Sequence, residues 1–150
     1  MSKYTIIRVK EEIARHYFQK SDILYRFLVT YKYNLNIGYL NRQYSYITRP
    51  FSFKEILYRL ENMYTDDFIK KGNHIEIETE GYCIELHVKP KQIEFCCATM
   101  QDAETILFPI LRQMYPYLFV ISENPMNYGW ISPILNKAQQ KEKQVLYSFP

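Results

Sequence analysis

The clearest pattern in the chain is a strict alternation of apolar and acidic residues in HIEIETE, residues 74–80. Ile75 and Ile77 alternate with glutamates, which is typical of a strand with one face on a core and the other in solvent. Two β-rich runs follow, YCIELHV and QIEFCCA, joined by Lys89–Pro90–Lys91. We therefore expect three consecutive strands with mostly antiparallel pairing in this part of the chain.

Three other segments also predict extended structure. KYTIIRV (residues 3–9) is apolar and rich in β-branched residues. YLFVI (117–121) is apolar without alternation, which is typical of a strand buried on both faces. RQYSYIT (42–48) is β-rich and is followed closely by Pro50, so it predicts a short strand or extended segment.

Helical spacing of apolar residues appears in three regions. Residues 10–33 predict either two short helices or one bent helix, with Ser21 as a cap of the second part. The run SFKEILYRLENMY begins at Ser52, a capping residue in front of an amphipathic pattern, and predicts a helix. A last helix begins near Asp102, and Pro109 inside it predicts a kink or a late start.

Turn residues separate these elements. Residues 34–41 and 65–73 predict loops, and residues 124–132 predict a turn followed by a short, edge-like element. Residues 136–150 are polar with an apolar end, and we expect partial order there at most. The sequence thus predicts one domain over residues 1–150, of the mixed α/β (α+β) class. Its central, mostly antiparallel sheet has five to six strands and is flanked by three to four helices.

The first predicted helix has more apolar surface than one core-facing side requires. At about 100° per residue, Ile13 and Tyr17 fall on one stripe, whereas Ala14 and Phe18 fall on another. The Phe18 stripe suits packing on the sheet. The Ile13/Tyr17 stripe is then either buried against a second element or half exposed as a protein-binding surface. The pattern alone leaves both interpretations open.

The charge distribution and the tyrosine content are compatible with a contact surface for an acidic partner, and an ordinary solvated surface also explains most of the charges. Residues 1–60 contain 11 Lys and Arg against 4 Asp and Glu, a net charge of +7, whereas residues 61–150 contain 8 against 12, a net of −4. A basic half steers acidic partners toward itself. The 15 tyrosines suit half-buried positions, because each has an apolar body and a polar tip.

The chemistry-bearing residues do not predict an enzyme. Cys83, Cys96 and Cys97 are odd in number and lack metal-ligand spacing, so we expect neither a disulfide framework nor a metal site. Glu12 and His16 are one helical turn apart but have no accompanying nucleophile. Phosphate-binding and nucleophile-elbow motifs are absent from the sequence, so we expect no cofactor and no small-molecule ligand. The sequence shows no membrane-length apolar stretch and no secretory leader, and we expect a cytoplasmic protein.

Residues 42–54, RQYSYITRPFSFK, leave a second class of function open. They interleave basic residues with Tyr44, Tyr46, Phe51 and Phe53. Aromatic rings that stack on bases next to cations that neutralise phosphates are typical of nucleic-acid binding. The net charge of +3 does not favour this alternative, and a strand with Tyr44 and Tyr46 on one face also resembles a core strand.

Four blocks of the sequence resemble one known family. They are VKEEIARHYF, QYSYITRP, AETILFPILRQ and YGWISPI, they occur in the family's order, and they span roughly residues 4–135. The chain resembles the SirA family, the sporulation inhibitors of replication of Bacillus and its relatives. None of the four blocks is a catalytic signature, and the specificity of the resemblance comes from the complete set.

The resemblance implies a non-enzymatic inhibitor that binds the N-terminal domain of DnaA, the initiator of chromosome replication. It implies contact residues at Ile13, Tyr17 and Gln43, with Lys10 and Ala14 flanking them. Ile13 departs from the phenylalanine of a family member, which makes this anchor smaller. We expect a monomer that contacts neither nucleic acid nor membranes directly.

Overall fold

An antiparallel sheet between two layers of helices forms the described part of the molecule. The computed structural model describes residues 1–131, so the tail predicted at 136–150 lies outside the described residues. The strands within this part are β1 (Ser2–Val9), β2 (Thr48–Arg49), β3 (Phe68–Lys71), β4 (His74–Thr79), β5 (Tyr82–Val88), β6 (Ile93–Cys97), β7 (Leu118–Glu123) and β8 (Met126–Trp130). The helices are α1 (Glu11–Tyr17), α2 (Ser21–Lys32), α3 (Gly38–Ile47), α4 (Phe53–Met63), α5 (Met100–Ile106) and α6 (Phe108–Met114).

The strands follow the order β3-β4-β5-β6-β1-β7-β8, and β2 pairs with the end of β1. Every pairing between the described strands is antiparallel, as the sequence predicts. Strand β1 is central, because Ile6 lies opposite Ile93 of β6 on one side and Val120 of β7 on the other. The mixed α+β class is confirmed, with more strands and more helices than the sequence predicts.

The two faces of the sheet carry two separate hydrophobic clusters. Ile6 and Val120 point to the cluster beneath α4, α5 and α6. Ile7 and Phe119, their chain neighbours, point to the cluster beneath α1, α2 and α3. This explains why YLFVI lacks alternation: β7 is buried on both faces. Strands β4 and β5 alternate because α1–α3 cover only the β1/β7/β8 part of the sheet.

The predictions for the helices are confirmed in part. Residues 10–33 form two helices, of which the second begins at Ser21. Ser21 does not cap it as predicted, because its hydroxyl donates to the Phe18 carbonyl oxygen instead. Ser52 does cap α4, since its hydroxyl oxygen accepts from the Glu55 N–H at 3.3 Å. The helix with Pro109 is broken into α5 and α6.

The prediction of a strand at residues 42–48 is wrong, and the helix found there instead positions the site. Residues 38–47 form α3, and only Thr48–Arg49 are extended. Leu40 and Tyr44 are the buried residues of the helix and lie one turn apart, and Tyr44 anchors α3 in the cluster on the β1/β7/β8 face. Residues 65–73 are likewise not all loop, because they include the edge strand β3.

Candidate protein-binding groove

Helix α1 presents its two apolar stripes to different surroundings. Ala14 and Phe18 are 0% and 3% exposed and belong to the cluster on the β1/β7/β8 face. Ile13 and Tyr17 pack against the same cluster but remain half-buried. The start of the helix is fixed by the Lys10 N–H, which donates to the Ile47 carbonyl oxygen at 2.8 Å. The Ile13/Tyr17 stripe is therefore half exposed rather than sealed in the core.

Helix α3 faces α1 because an aromatic anchor holds it. The Tyr44 ring stacks on Tyr31 of α2, with 4.0 Å between ring centres and 7° between planes. The Tyr44 hydroxyl donates to the Lys91 carbonyl oxygen at 3.0 Å, and burial raises the pKa of this phenol above its ordinary value. With Tyr44 turned inward, the neighbouring Gln43 faces solvent. The fold thus brings Gln43 to the side of α1 that carries Tyr17.

Helices α1, α2 and α3 enclose a groove of about 700 Å³, hereafter the α1–α3 groove. The residues that α1 and α2 contribute to its lining are apolar or aromatic: Ile13, Tyr17, Ile23, Leu24 and Phe27. Helix α3 contributes both polar and aromatic residues: Tyr39, Arg42, Gln43, Tyr46 and Ile47. Three predicted contact residues from two distant segments, Ile13, Tyr17 and Gln43, therefore lie in one groove.

The groove is an exposed apolar surface. Tyr39 is 59% exposed, Tyr46 is 58% exposed and Ile23 is 43% exposed. Large apolar side chains at such exposure, gathered around one concavity and rimmed by polar residues, are typical of an interaction site. The polar groups of the lining are tyrosine hydroxyls, an amide and a guanidinium. This composition suits contact with a protein surface and offers no nucleophile paired with a base.

Lys10 lies at the rim, whereas Ala14 lies beneath the groove. The Lys10 ammonium is 4.0 Å from the centre of the Tyr46 ring and 3.4 Å from Glu12 Oε1. It thereby links the rim of α1 to the exposed ring of α3. Ala14 has no accessible surface, so its side chain supports α1 and takes no direct part in the exposed surface. The expectation that Ala14 flanks a contact stays a prediction, with a supporting position beneath the groove.

Comparison with known proteins places the chain in a family. A family model described as "Sporulation inhibitor of replication protein SirA" matches residues 2–135. The chain belongs to this family. A relative in Bacillus subtilis (strain 168), the sporulation inhibitor of replication protein SirA, is 27% identical over 139 residues, which cover 87% of this chain and 93% of the relative. The resemblance found in the four sequence blocks is confirmed.

The sequence of this SirA-family chain does not by itself identify several of the residues that line the groove. The sequence predicts a loop at Tyr39 and a strand at Arg42. Neither prediction brings these residues next to α1. Ile23 and Phe27 are four residues apart on α2, and this spacing was the available signal that they share a face. The missing information was that 38–47 is a helix, because Tyr39, Arg42 and Tyr46 fall on one side only with helical periodicity.

Two of the four aromatic residues on which the nucleic-acid alternative depends are buried in the structure. Tyr44 is 4% exposed and Phe51 is 7% exposed, and Phe51 packs edge-on against Tyr115 at 5.3 Å. Buried rings are not available to stack on bases. The helical conformation of 42–47 also separates Tyr44 from Tyr46, which point to the core and to solvent respectively.

The other residues that could carry chemistry do not come together in a site within the described region. His74 lies opposite His87 across β4 and β5, but no group of three His, Cys, Asp or Glu side chains within residues 1–131 is arranged to hold a metal ion. Cys83 and Cys96 are half-buried, Cys97 is buried, and all three are free thiols. None of the helices in residues 1–131 combines the length and apolarity that a membrane span requires.

Proposed function

We propose that this protein inhibits the initiation of chromosome replication by binding the N-terminal domain of DnaA in the α1–α3 groove. The observation that supports the proposal most strongly is the meeting of Ile13, Tyr17 and Gln43 in one exposed apolar groove. The family resemblance implies these residues independently of the fold, in two segments about thirty positions apart in the sequence. Membership of the SirA family supports the inhibitory role, and steric occupation of the initiator domain requires no catalysis.

Tyr17 is the central anchor of the proposed contact. Its ring is half-buried and lies edge-on to the His16 ring, with 4.7 Å between ring centres. A half-buried ring loses less conformational freedom than a fully exposed one when a partner covers it. Ile13 adds apolar area one turn away, and Gln43 offers an amide from the opposite wall. Aromatic anchors of this kind carry much of the binding energy in protein interfaces.

The test is a calorimetric titration of the purified protein with the cognate DnaA N-terminal domain. We expect saturable binding to the wild type. Tyr17→Ala should weaken it by about 2 kcal/mol, or about thirtyfold in Kd, because truncation removes a central ring. Tyr58→Ala is the matched control, since Tyr58 is 69% exposed on α4, which packs on the opposite face of the sheet.

Unchanged affinity of the Tyr17→Ala protein, with a cooperative unfolding transition like that of the wild type, would remove Tyr17 from the contact. A strong loss of stability without a specific loss of affinity would make Tyr17 a core residue. Nucleic-acid binding is separated by salt: phosphate contacts make affinity fall steeply with ionic strength. We expect the protein contact to depend on salt far less steeply than that.

A further inference from the structure

Arg42 is the charged residue of the α1–α3 groove. Among the described residues that line the groove, it alone carries a formal charge, and the others are apolar, aromatic or amide side chains. Its guanidinium lies back along α3 toward Gly38, where an added Cβ would come within 3.3 Å of Nη1. The groove thus combines apolar walls with a single cation on its α3 side.

The guanidinium of Arg42 has no anionic partner within residues 1–131, whereas Arg15, Arg26 and Arg112 each lie beside a carboxylate. Arg26 Nη2 pairs with Asp22 Oδ2 at 3.2 Å, and Arg15 lies near both Glu11 and the Tyr117 hydroxyl. Arg8 donates to the Pro50 carbonyl oxygen at 2.9 Å. The side chain of Arg42 makes no ion pair or hydrogen bond in the described part of the chain. No group within residues 1–131 thus neutralises this charge, which another molecule entering the groove would meet unpaired.

A partner that fills the groove must deal with this charge. In the free protein, water solvates the exposed guanidinium. When a second protein covers the apolar walls, it removes part of that water, and removal costs free energy unless an anion replaces it. A carboxylate is the anion that proteins supply, and its two oxygens match the planar fork of arginine in a bidentate pair. An apolar partner surface alone would leave the charge without compensation.

We propose that Arg42 selects the partner by pairing with an aspartate or glutamate carboxylate that lies beside the partner surface covering Ile13 and Tyr17. This inference rests on the proposed function, since the partner is the DnaA N-terminal domain. It adds a specificity-determining residue from outside the set that the resemblance implies. The net charge of +7 on residues 1–60 agrees with an acidic partner surface, because it speeds the approach of that surface.

The test compares Arg42→Ala, Arg42→Lys and Arg42→Glu with the wild type in calorimetric titrations against the cognate DnaA N-terminal domain. Pairs that are desolvated in an interface are costly to break, so Arg42→Ala should raise Kd by about thirtyfold. Arg42→Lys should retain part of the affinity, because lysine keeps the charge and loses the fork. Arg42→Glu should abolish measurable binding, because it places two carboxylates together.

Arg26→Ala is the control for a general loss of positive charge. Arg26 is an exposed arginine of α2 whose side chain pairs with Asp22, outside the groove lining. We expect its Kd to stay within about twofold of the wild type, because such surface pairs contribute little. Equal losses for Arg26→Ala and Arg42→Ala would overturn the specific pair in favour of general charge attraction. Thermal unfolding of each variant confirms that the fold is retained.

Different results would overturn the Arg42–carboxylate pair and the binding of the DnaA domain. If Tyr17→Ala weakens binding while the Arg42 variants bind like the wild type, the groove remains the site and the carboxylate pair is overturned. If the wild-type protein does not bind the DnaA domain, both are overturned. Loss of affinity in both sets of variants, with Arg42→Lys between Arg42→Ala and the wild type, supports both.

Discussion

The indole nitrogen of Trp130 donates a hydrogen bond to the hydroxyl oxygen of Ser21, with 3.2 Å between the two atoms. This bond joins the last described strand to the first turn of α2, and both residues are buried. The same hydroxyl donates to the Phe18 carbonyl oxygen at 3.1 Å, so one serine connects α1, α2 and β8. The lower part of the groove is built on this junction, because Phe18 and Leu24 pack in the same cluster.

Ser21→Ala should therefore destabilise the protein. The substitution leaves the buried indole N–H without its acceptor, which costs about 1–3 kcal/mol. Urea unfolding followed by tryptophan fluorescence measures the change, because Trp130 is the single tryptophan of the chain. Ser45→Ala is the matched control, since Ser45 is exposed on α3. Equal stabilities of the two variants would show that the bond is not needed.

Tyr44→Phe should separate a structural role from a contact role. The phenylalanine keeps the stack on Tyr31 but loses the hydrogen bond to the Lys91 carbonyl oxygen, at a cost of about 1 kcal/mol in the free energy of unfolding. Affinity for the DnaA domain should stay within about twofold, since the ring faces the core and α3 keeps its position. A loss of affinity as large as that expected for Tyr17→Ala would contradict this assignment.

Gln43→Ala should weaken binding less than Tyr17→Ala does. Gln43 is exposed at the edge of the groove, and a rim hydrogen bond that exchanges with water contributes about 0.5–1.5 kcal/mol. The expected rise in Kd is about two- to tenfold. The fold should be unaffected, since the amide makes no contact with the core. Titration of both single variants and the double variant gives the order, and a reversed order would move the centre of the contact to α3.

The free energy of unfolding should fall between pH 9 and pH 11. Burial, with a smaller effect from Asp102, raises the pKa of the Cys97 thiol from its ordinary value of 9.0 to about 11. Above pH 9 the unfolded chain loses this proton while the folded chain keeps it, so the unfolded state binds fewer protons and stability falls as pH rises. Above about pH 10, the raised pKa of Tyr44 acts in the same direction.

Cys97→Ala should flatten this dependence. Urea unfolding at several pH values from 8 to 10.5 gives the slope for both proteins, and comparing slopes removes the constant cost of the smaller side chain. We expect the variant to lose less stability than the wild type between pH 9 and pH 10. Parallel slopes would show that Cys97 does not ionise differently in the folded and unfolded chains.

Alternation and helical spacing predict much of the fold, and one aromatic contact explains the main error. Ile75 and Ile77 point inward on β4 as the pattern indicates. In RQYSYIT, by contrast, β-branched and aromatic residues favour a strand by propensity. The stack of Tyr44 on Tyr31 and the burial of Leu40 one turn earlier stabilise a helix instead. Tertiary contacts thus override a local preference, and these contacts are not visible in the segment itself.

The candidate site could be predicted in part. The excess apolar stripe of α1 points to Ile13 and Tyr17 from periodicity alone. Gln43 comes from the family resemblance, since no pattern within the chain joins it to α1. Tyr46 and Arg42 require the three-dimensional arrangement, because they reach the groove only once 38–47 is helical. A groove between three helices depends on long-range packing, which single-segment patterns do not contain.

The division of the core into two clusters on opposite faces of the sheet has a consequence for the effects of substitutions. Helices α4, α5 and α6 pack in the cluster on one face of the sheet, whereas α1, α2 and α3 pack in the cluster on the other face. Exposed residues of α1 and α3 can thus be substituted without disturbing the cluster on the other face, which maintains a folded scaffold. Substitutions on the exposed side of α1 and α3 and substitutions in the cluster beneath α4–α6 therefore act on different properties, because surface recognition and foldability draw on different sets of side chains.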